Sequence, residues 1–319
     1  MQHYRFGRTG LQVPAITFGG GWVGGVLIHG DRDVAHAALD RAWDARIDWI
    51  DTAAMYGNGV SETVIGGWLA GRQNAERPRI STKFRIDSGA DDPVGQMRAS
   101  VEASLGRLGL SRVDVLILHN VLSEPGFGSD DALHVADAMD ALRSEGLCDH
   151  IGLTALGDVQ EVTRTISSGR FDVAQVYYNM LNPTAADGRT PWNSTNFDGL
   201  LNVCAEHDMG VMGIRIFAAG HLATDVRHGR EIPITDAADD AQEERRARAV
   251  WQRLDPTDGK PAQIALRFGL ACRGLSTIVV GLGELSHLET AIAAVEAGPL
   301  AEEKIEAIAA AWRGPEFIV

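Results

Sequence analysis

An acid and a phenol stand five positions apart in the stretch IDTAAMYGNGVSETVIGGWL, where Asp51 ends an apolar run and Tyr56 follows it. Two later runs close on groups of complementary chemistry: RISTK ends in Lys83, and VDVLILH ends in His119. One Asp, one Tyr, one Lys and one His at candidate strand ends form the set a site needs to donate a proton to a carbonyl while a cofactor delivers hydride. Hydride arrival places negative charge on the carbonyl oxygen, so a proton donor must be held there. Tyr56 is the candidate donor. A free phenol has a pKa of about 10 and is a poor acid at neutral pH, but a neighbouring ammonium favours its ionised form. Lys83 is placed to supply that charge.

These groups must be carried by elements that bring their ends together. After a short hairpin from His3 to Val13, turning at Arg8, Thr9 and Gly10, apolar runs alternate with helical patterns, which predicts parallel β/α units. The strand candidates are 15–19, 47–51, 79–83, 113–119, 150–154, 174–178, 210–215 and 277–281. Asp92 and Pro93 open a helix whose Val94, Met97, Val101, Leu105 and Leu108 recur at helical spacing, and Gly109 closes it. Pro261 opens another with an inward face of Ile264, Ala265, Phe268 and Ala271, while Leu133, Ala136 and Leu142 mark a helix ended by Gly146. Eight units without a break in composition predict an α/β fold of one domain over residues 1–319, a single (β/α)8 TIM barrel with a short N-terminal hairpin. Barrel sites are assembled at the C-terminal ends of strands, where Asp51, Lys83 and His119 all fall. The segment from Phe217 to Lys260 has loop composition before the charged helix QEERRARAVWQRL, and such a loop is expected to lie beside the site and cover the cofactor.

Composition narrows the partners. A formal charge of −14 opposes binding to a phosphate backbone, so nucleic acid is not expected. Cys148, Cys204 and Cys272 are odd in number, widely spaced and without metal-ligand spacing, which predicts a reducing compartment and no metal. No stretch approaches the roughly 20 apolar residues of a membrane span, and the N-terminus lacks the pattern of a secretory signal. A cytoplasmic protein without membrane partners is expected.

The segment around Tyr56 resembles the aldo-keto reductase superfamily, whose motif of the type D-T-A-x-x-Y-G-x-G-x-S-E appears as Asp51, Thr52, Ala53, Tyr56, Gly57, Gly59, Ser61 and Glu62. The resemblance implies that Tyr56 is the general acid, that Asp51 orients Lys83, which tunes the phenol, and that His119 hydrogen-bonds the substrate oxygen. Singly, each of the four has an ordinary structural reading as an ion pair, a rim aromatic or a strand-end histidine. Their joint occurrence in the family's order makes the catalytic reading the stronger one.

No GxGxxG follows a first strand with an acid in the next unit, so a Rossmann-type cofactor domain has no support. The resemblance instead implies an extended nicotinamide cofactor across the barrel mouth. It places Gln175 at the carboxamide, together with Thr154, where IGLTALG stands in place of the family's IGxSNF. It places Gly20 and Gly21, within FGGG, against the cofactor, and Phe217 and Gly220, within GIRIFAAGHL, near the diphosphate. Ile214 or Arg215 takes the position of the aromatic that stacks on nicotinamide. Gly281 and Gly283 would lie beside the adenosine phosphate, with His287 where many members carry Arg. NADP(H) is the family's usual cofactor, whereas a His, charged only part of the time near neutrality, leaves NAD(H) or dual use open. Trp22, Asn120 and Leu122 are the expected substrate contacts.

The resemblance implies an NAD(P)(H)-dependent oxidoreductase interconverting an aldehyde or ketone and an alcohol. FGGGWVGG and FAAGHL are similar to the bacterial branch of sugar or aldose dehydrogenase-like members, so oxidation of an aldose or other hydroxylated ring is the alternative. A reading of another class is a cofactor-sensing regulatory subunit of an ion channel. The partner expected is a small carbonyl or sugar; the oligomeric state is open.

Overall fold

The computed structural model describes residues 1–72, 77–87, 89–123, 125–187, 195–224 and 240–318. Two short strands at the start, β1 (His3–Arg5) and β2 (Gln12–Pro14), pair antiparallel as the expected hairpin, with His3 opposite Pro14. Its turn passes through Gly7 to Thr9 and Gly10, the latter in the left-handed region.

Eight parallel strands follow: β3 (Ile16–Gly19), β4 (Trp49–Asp51), β5 (Arg79–Phe84), β6 (Val113–Leu118), β7 (Cys148–Ala155), β8 (Val173–Tyr177), β9 (Gly210–Ile214) and β10 (Thr277–Gly281). Each hydrogen-bonds its sequence neighbour, and β10 pairs with β3, Ile278 opposite Ile16, to close the barrel. All eight expected strands are present, with ends displaced by one or two residues. β4 begins two residues late, because Ile47 gives its N–H to Ala42 O and so finishes the preceding helix before the strand begins.

The interior is filled by strand residues and by the N-terminal hairpin. Val115, Ile117, Val173 and Met212 point inward with Trp49, and the hairpin contributes Phe6 and Val13 as a plug. The Phe6 and Trp49 rings meet edge to face, with centroids 5.1 Å apart. A second, larger cluster lies between the barrel's outer face and the helices. With the hairpin filling the barrel from the N-terminal side, the C-terminal strand ends are left as the open mouth.

The helices follow the sequence signals with corrections to their faces. Asp92 caps Pro93–Leu108 by accepting from Gly95 N at 2.8 Å, and Gly109 ends it in the left-handed conformation. Val94 does not belong to its buried stripe: it lies in the first turn, 37% exposed, before the helix settles on the barrel at Met97. On Ser129–Ser144 the buried stripe runs through Ala132, Val135, Ala136, Met139 and Leu142, which leaves Leu133 half-buried one position off the face. Ala271 falls just past Pro261–Leu270 and is half-buried as its cap. Cys148 and Cys204 are buried and Cys272 half-buried, all as free thiols. No described helix is long and apolar enough to cross a membrane.

Candidate active site

Asp51 is the last residue of β4, and the six residues after it are shaped by the motif itself. Thr52 and Ser61 join their hydroxyls at 2.9 Å, tying the strand end to the start of helix Val60–Leu69. Glu62, fully buried, accepts from Thr82 Oγ1 at 2.5 Å and Arg107 Nε at 2.7 Å, which fastens that helix to β5 and its neighbour. Between these anchors the chain turns through Gly57, Asn58 and Gly59 at positive φ, and Gly59 at φ 88 serves as the helix N-cap, a conformation that disfavours a side chain. The tight turn holds Tyr56 over the mouth.

Lys83 lies one residue before the end of β5 and is 1% exposed. Its three N–H groups all have acceptors: Asp51 Oδ2 at 2.6 Å, Thr52 O at 2.8 Å and Tyr56 Oη at 3.1 Å. Burial opposes the ammonium, but the charge of Asp51 and the phenol of Tyr56 outweigh it and hold the Lys83 pKa above its ordinary value. Asp51, 2% exposed, accepts at Oδ1 from Ser81 Oγ at 2.8 Å and Gln175 Nε2 at 2.7 Å. A buried carboxylate this fully dressed stays in place.

His119 follows β6, its ring 6.0 Å from that of Tyr56 and nearly perpendicular to it. Burial, reinforced by the positive charges of Lys83 and Arg85, pushes its pKa down to about 3. The imidazole is therefore neutral across the physiological range, able to donate or accept without carrying charge. Its Nδ1 is buried and has no hydrogen-bond partner among the described residues.

These groups open into a cavity of about 870 Å³ lined by Asp51, Tyr56 and His119. The volume falls within the roughly 300–1,000 Å³ of small-molecule and cofactor sites. Of the residues expected to meet cofactor or substrate, Gly21, Thr154, Gln175, Arg215, Phe217, Gly220, Gly281, Gly283, His287 and Trp22 line this cavity. Ile214 and Arg215 both reach it, at the exit of β9.

Three expected contacts lie elsewhere. Gly20 is buried behind the wall, donating to Asp51 O at 2.8 Å, and its Cα faces Ser61 Oγ. Asn120, 5% exposed, spends its amide on Ile86, accepting from Ile86 N at 2.9 Å and donating to Ile86 O at 2.8 Å. Leu122 is buried and bridged to Gly157, taking Leu156 O at 2.9 Å through its own N–H. Both residues brace the loop after β6 instead of facing the cavity. The expected cover after β9 falls largely on residues 225–239, outside the described residues.

The cavity wall also contains Met55, Arg85 and Val121, none of which was singled out from the sequence, and Lys260, the end of the segment expected beside the site. Their common signal is position, just past a strand end or just before a helix at the barrel mouth. The FGGGWVGG run has its own reason: a Cβ on Gly24 would stand 2.4 Å from Leu282 N, so the chain beyond β3 packs against the exit of β10 only without a side chain there. At that exit the ring of His287 is engaged, Nδ1 accepting from Gly283 N at 3.2 Å and Nε2 lying 3.7 Å from Glu284 Oε1.

The residues present fit a dinucleotide. In a chain of net charge −14, the cavity wall on the side of β9 and the helix that begins at Pro261 carries Arg215 and Lys260, and the one carboxylate on the wall among the described residues, Asp51, is already paired with Lys83. Thr154, 2% exposed, lines the cavity, and its buried hydroxyl has no partner among the described residues. Residues at the N-termini of helices Pro261–Leu270 and Leu285–Glu296 also border it, as suits an anionic ligand. Among the described residues no cluster of His, Cys, Asp and Glu could hold a metal ion.

The sequence of residues 15–313 matches the model of the aldo/keto reductase family. The chain belongs to that family. As an aldo/keto reductase it is an oxidoreductase, and named dehydrogenases are among its relatives. It is 29% identical to L-galactose dehydrogenase of Arabidopsis thaliana over 297 residues, 91% of this chain and 86% of the relative. It is 31% identical to D-threo-aldose 1-dehydrogenase of a Pseudomonas species over 242 residues, 67% of this chain and 69% of that one. The holo form of aldo-keto reductase AKR11C1 from Bacillus halodurans superposes with a TM-score of 0.75, covering 98% of this chain and 96% of that one at 21% identity, a likeness of fold.

Proposed function

We propose that this aldo/keto reductase interconverts a carbonyl compound and its alcohol with a nicotinamide cofactor bound across the barrel mouth, Tyr56 acting as general acid in reduction and general base in oxidation. The observation that carries this is the arrangement around Lys83, whose ammonium is fixed against both the Asp51 carboxylate and the Tyr56 hydroxyl. A bound nicotinamide supplies or accepts the hydride. The chain's own residues do the rest. Tyr56 Oη gives its proton to the carbonyl oxygen, and the Lys83 ammonium 3.1 Å away stabilises the negative charge left on the phenol. Neutral His119 fixes the oxygen from the second side through its ring, which sets the angle at which the carbonyl carbon faces the hydride. All three Lys83 donors are occupied, so the substrate oxygen is left to Tyr56 and His119.

Thr154 and the free oxygen of Gln175 would hold the cofactor's carboxamide, with Arg215, Phe217 and Gly220 near the diphosphate and Gly281, Gly283 and His287 near the adenosine. The Glu284 carboxylate, bonded by Ser286 Oγ, lies 3.7 Å from Nε2 of His287, so the residue proposed to meet the adenosine already has an anionic neighbour that would oppose a 2′-phosphate there. This favours NAD(H) over NADP(H) in this chain, against the usual habit of the family. The two dehydrogenase relatives named above support a hydroxylated substrate and the oxidative direction. The eight strands closing on one another support a single barrel domain, and the three free thiols support a reducing compartment such as the cytoplasm. Steady-state assays of carbonyls and aldoses with both cofactors, followed by nicotinamide absorbance in both directions, test the reading. Turnover lost on replacing Tyr56 supports it. Tight cofactor binding without turnover of any substrate would instead favour a sensor.

A further inference from the structure

Arg85 lies two residues beyond Lys83, where the chain leaves β5, and its exposed side chain borders the cavity. Among the described residues no carboxylate, carbonyl or ring partners its guanidinium. An unpaired arginine on a surface is ordinarily a solvated arm. Here the backbone on both sides of it is pinned to the exit of β6. Phe84 O accepts from His119 N at 2.9 Å, and the side-chain amide of Asn120 takes both the N–H and the C=O of Ile86. Arg85 is bracketed by these tethers, and its charge reaches the neighbouring imidazole of His119. The bracket gives the side chain a fixed root, which lowers the ordering cost of binding through it.

The strand order shows which ligand it faces. In the closed ring β5 lies four strands from β9, so the exits of these two strands are on opposite sides of the mouth. Arg215, Phe217 and Gly220 leave from β9. Tyr56 follows β4 and His119 follows β6, the two neighbours of β5. Arg85 therefore stands on the wall between the proton donor and the histidine, across the mouth from the residues proposed to meet the diphosphate. Met55 and Val121 follow the two strands beside β5, and with Trp22 after β3 they give the same cavity an exposed apolar rim. Apolar groups beside a guanidinium offer it no competing acceptor, and a ligand that covers them strengthens an ion pair formed there.

We infer that Arg85 selects the substrate by receiving the carboxylate of an oxo acid, or of the matching hydroxy acid, whose reacting oxygen lies between Tyr56 and His119. This rests on the reading of those two residues as the carbonyl site. A carboxylate suits the place better than a phosphate dianion. One guanidinium offers two parallel N–H groups and one charge, and the apolar rim has nothing for a second negative charge.

The test compares 3- and 4-carboxybenzaldehyde with their neutral methyl esters and with benzaldehyde, in wild type and Arg85→Gln. In the wild type at least one carboxylated aldehyde is preferred over its ester in kcat/KM by about 10-fold or more, mainly through KM, and added salt erodes the preference. In Arg85→Gln the preference falls to near unity while the neutral aldehydes keep their wild-type values; Arg85→Lys retains part of it. A wild type without preference, or a preference that survives Arg85→Gln, overturns the inference. Calorimetric titration with benzoate gives a readout independent of turnover: binding weakened about 10-fold by Arg85→Gln supports the assignment. Equal binding by both proteins, or no binding by the wild type, overturns it. Failure of all aldehydes with both cofactors would count against the carbonyl-reductase reading, and the benzoate result would still decide the role of Arg85.

Discussion

The Nζ of Lys83 lies 3.1 Å from the hydroxyl of Tyr56, close enough that a buried cation and the proposed acid share one hydrogen bond. Removing the hydroxyl isolates its part. Tyr56→Phe keeps the ring against Lys83 and is expected to retain the fold and cofactor affinity while turnover falls by about 10²-fold or more. Cofactor titration and steady-state kinetics on the same preparation check both halves; turnover like the wild type would remove Tyr56 from the mechanism.

Lys83→Met leaves Asp51 buried without its cation. Breaking such a pair costs about 3–5 kcal/mol, and because Ser81 and Gln175 still donate to the carboxylate, the lower end is expected. Replacing Asp51 by Asn in the same chain should restore much of that stability without restoring turnover. Urea unfolding of the single and double variants measures this. A double variant no more stable than Lys83→Met would show that the cost does not come from the orphaned charge.

The depressed pKa of His119 makes a pH prediction with a definite sign. Between about 3 and the ordinary value of 6.5 the unfolded chain binds a proton at this ring that the folded chain does not, so stability falls as pH drops through that window. From pH 7 to pH 5 this one group should cost about 2 kcal/mol, as 1.5 units below 6.5 at about 1.4 kcal/mol each. Wild type and His119→Gln, compared by urea unfolding at the two pH values, should differ in slope by that amount, with the variant flatter. Parallel curves would mean that His119 protonates in the folded state.

Cofactor choice should respond to the Glu284–His287 pair. His287→Arg, and Glu284→Gln separately, are each expected to tighten NADPH by about 10-fold while leaving NADH within a factor of two or three. Fluorescence titration of both cofactors measures the ratio. An unchanged ratio in both variants would place the 2′ position of the ribose elsewhere.

Asn120→Ala discriminates bracing from substrate contact. Losing both bonds to Ile86 should cost about 1–3 kcal/mol of stability and leave kcat/KM for neutral aldehydes within a few-fold of wild type. A raised KM for every substrate with full stability would return Asn120 to the substrate wall.

Strand periodicity and the DTAxxYG motif made the barrel and its four central residues readable, because each depends on a local pattern whose chemistry is fixed by residue type. Asn120 was not readable in the same way. An amide just past a strand end can serve ligand or backbone equally, and only the approach of Ile86 decides. Arg85 carried the opposite ambiguity, a charged residue with no pattern around it until the tethers beside it and the ring order of the strands are known. Val94 and Leu133 failed for a simpler reason: apolar type marks candidates for a helix face, but the docking of the helix chooses among them.

The N-terminal plug ties the beginning of the chain to segments made much later. Arg8 bonds Asp172 at 3.1 Å, the carbonyls of Gly169 and Phe171 at 2.7 Å and that of His207 at 3.3 Å, contacts separated by 161 to 199 residues. During synthesis the hairpin therefore has no seat until β8 and β9 have emerged, and β3 waits longer still for β10. Contacts of such long sequence separation slow folding, since their loops must close before they stabilise anything. The barrel should thus acquire its floor late, and cutting away the first fourteen residues should shorten the lifetime of the folded state more than it slows its formation.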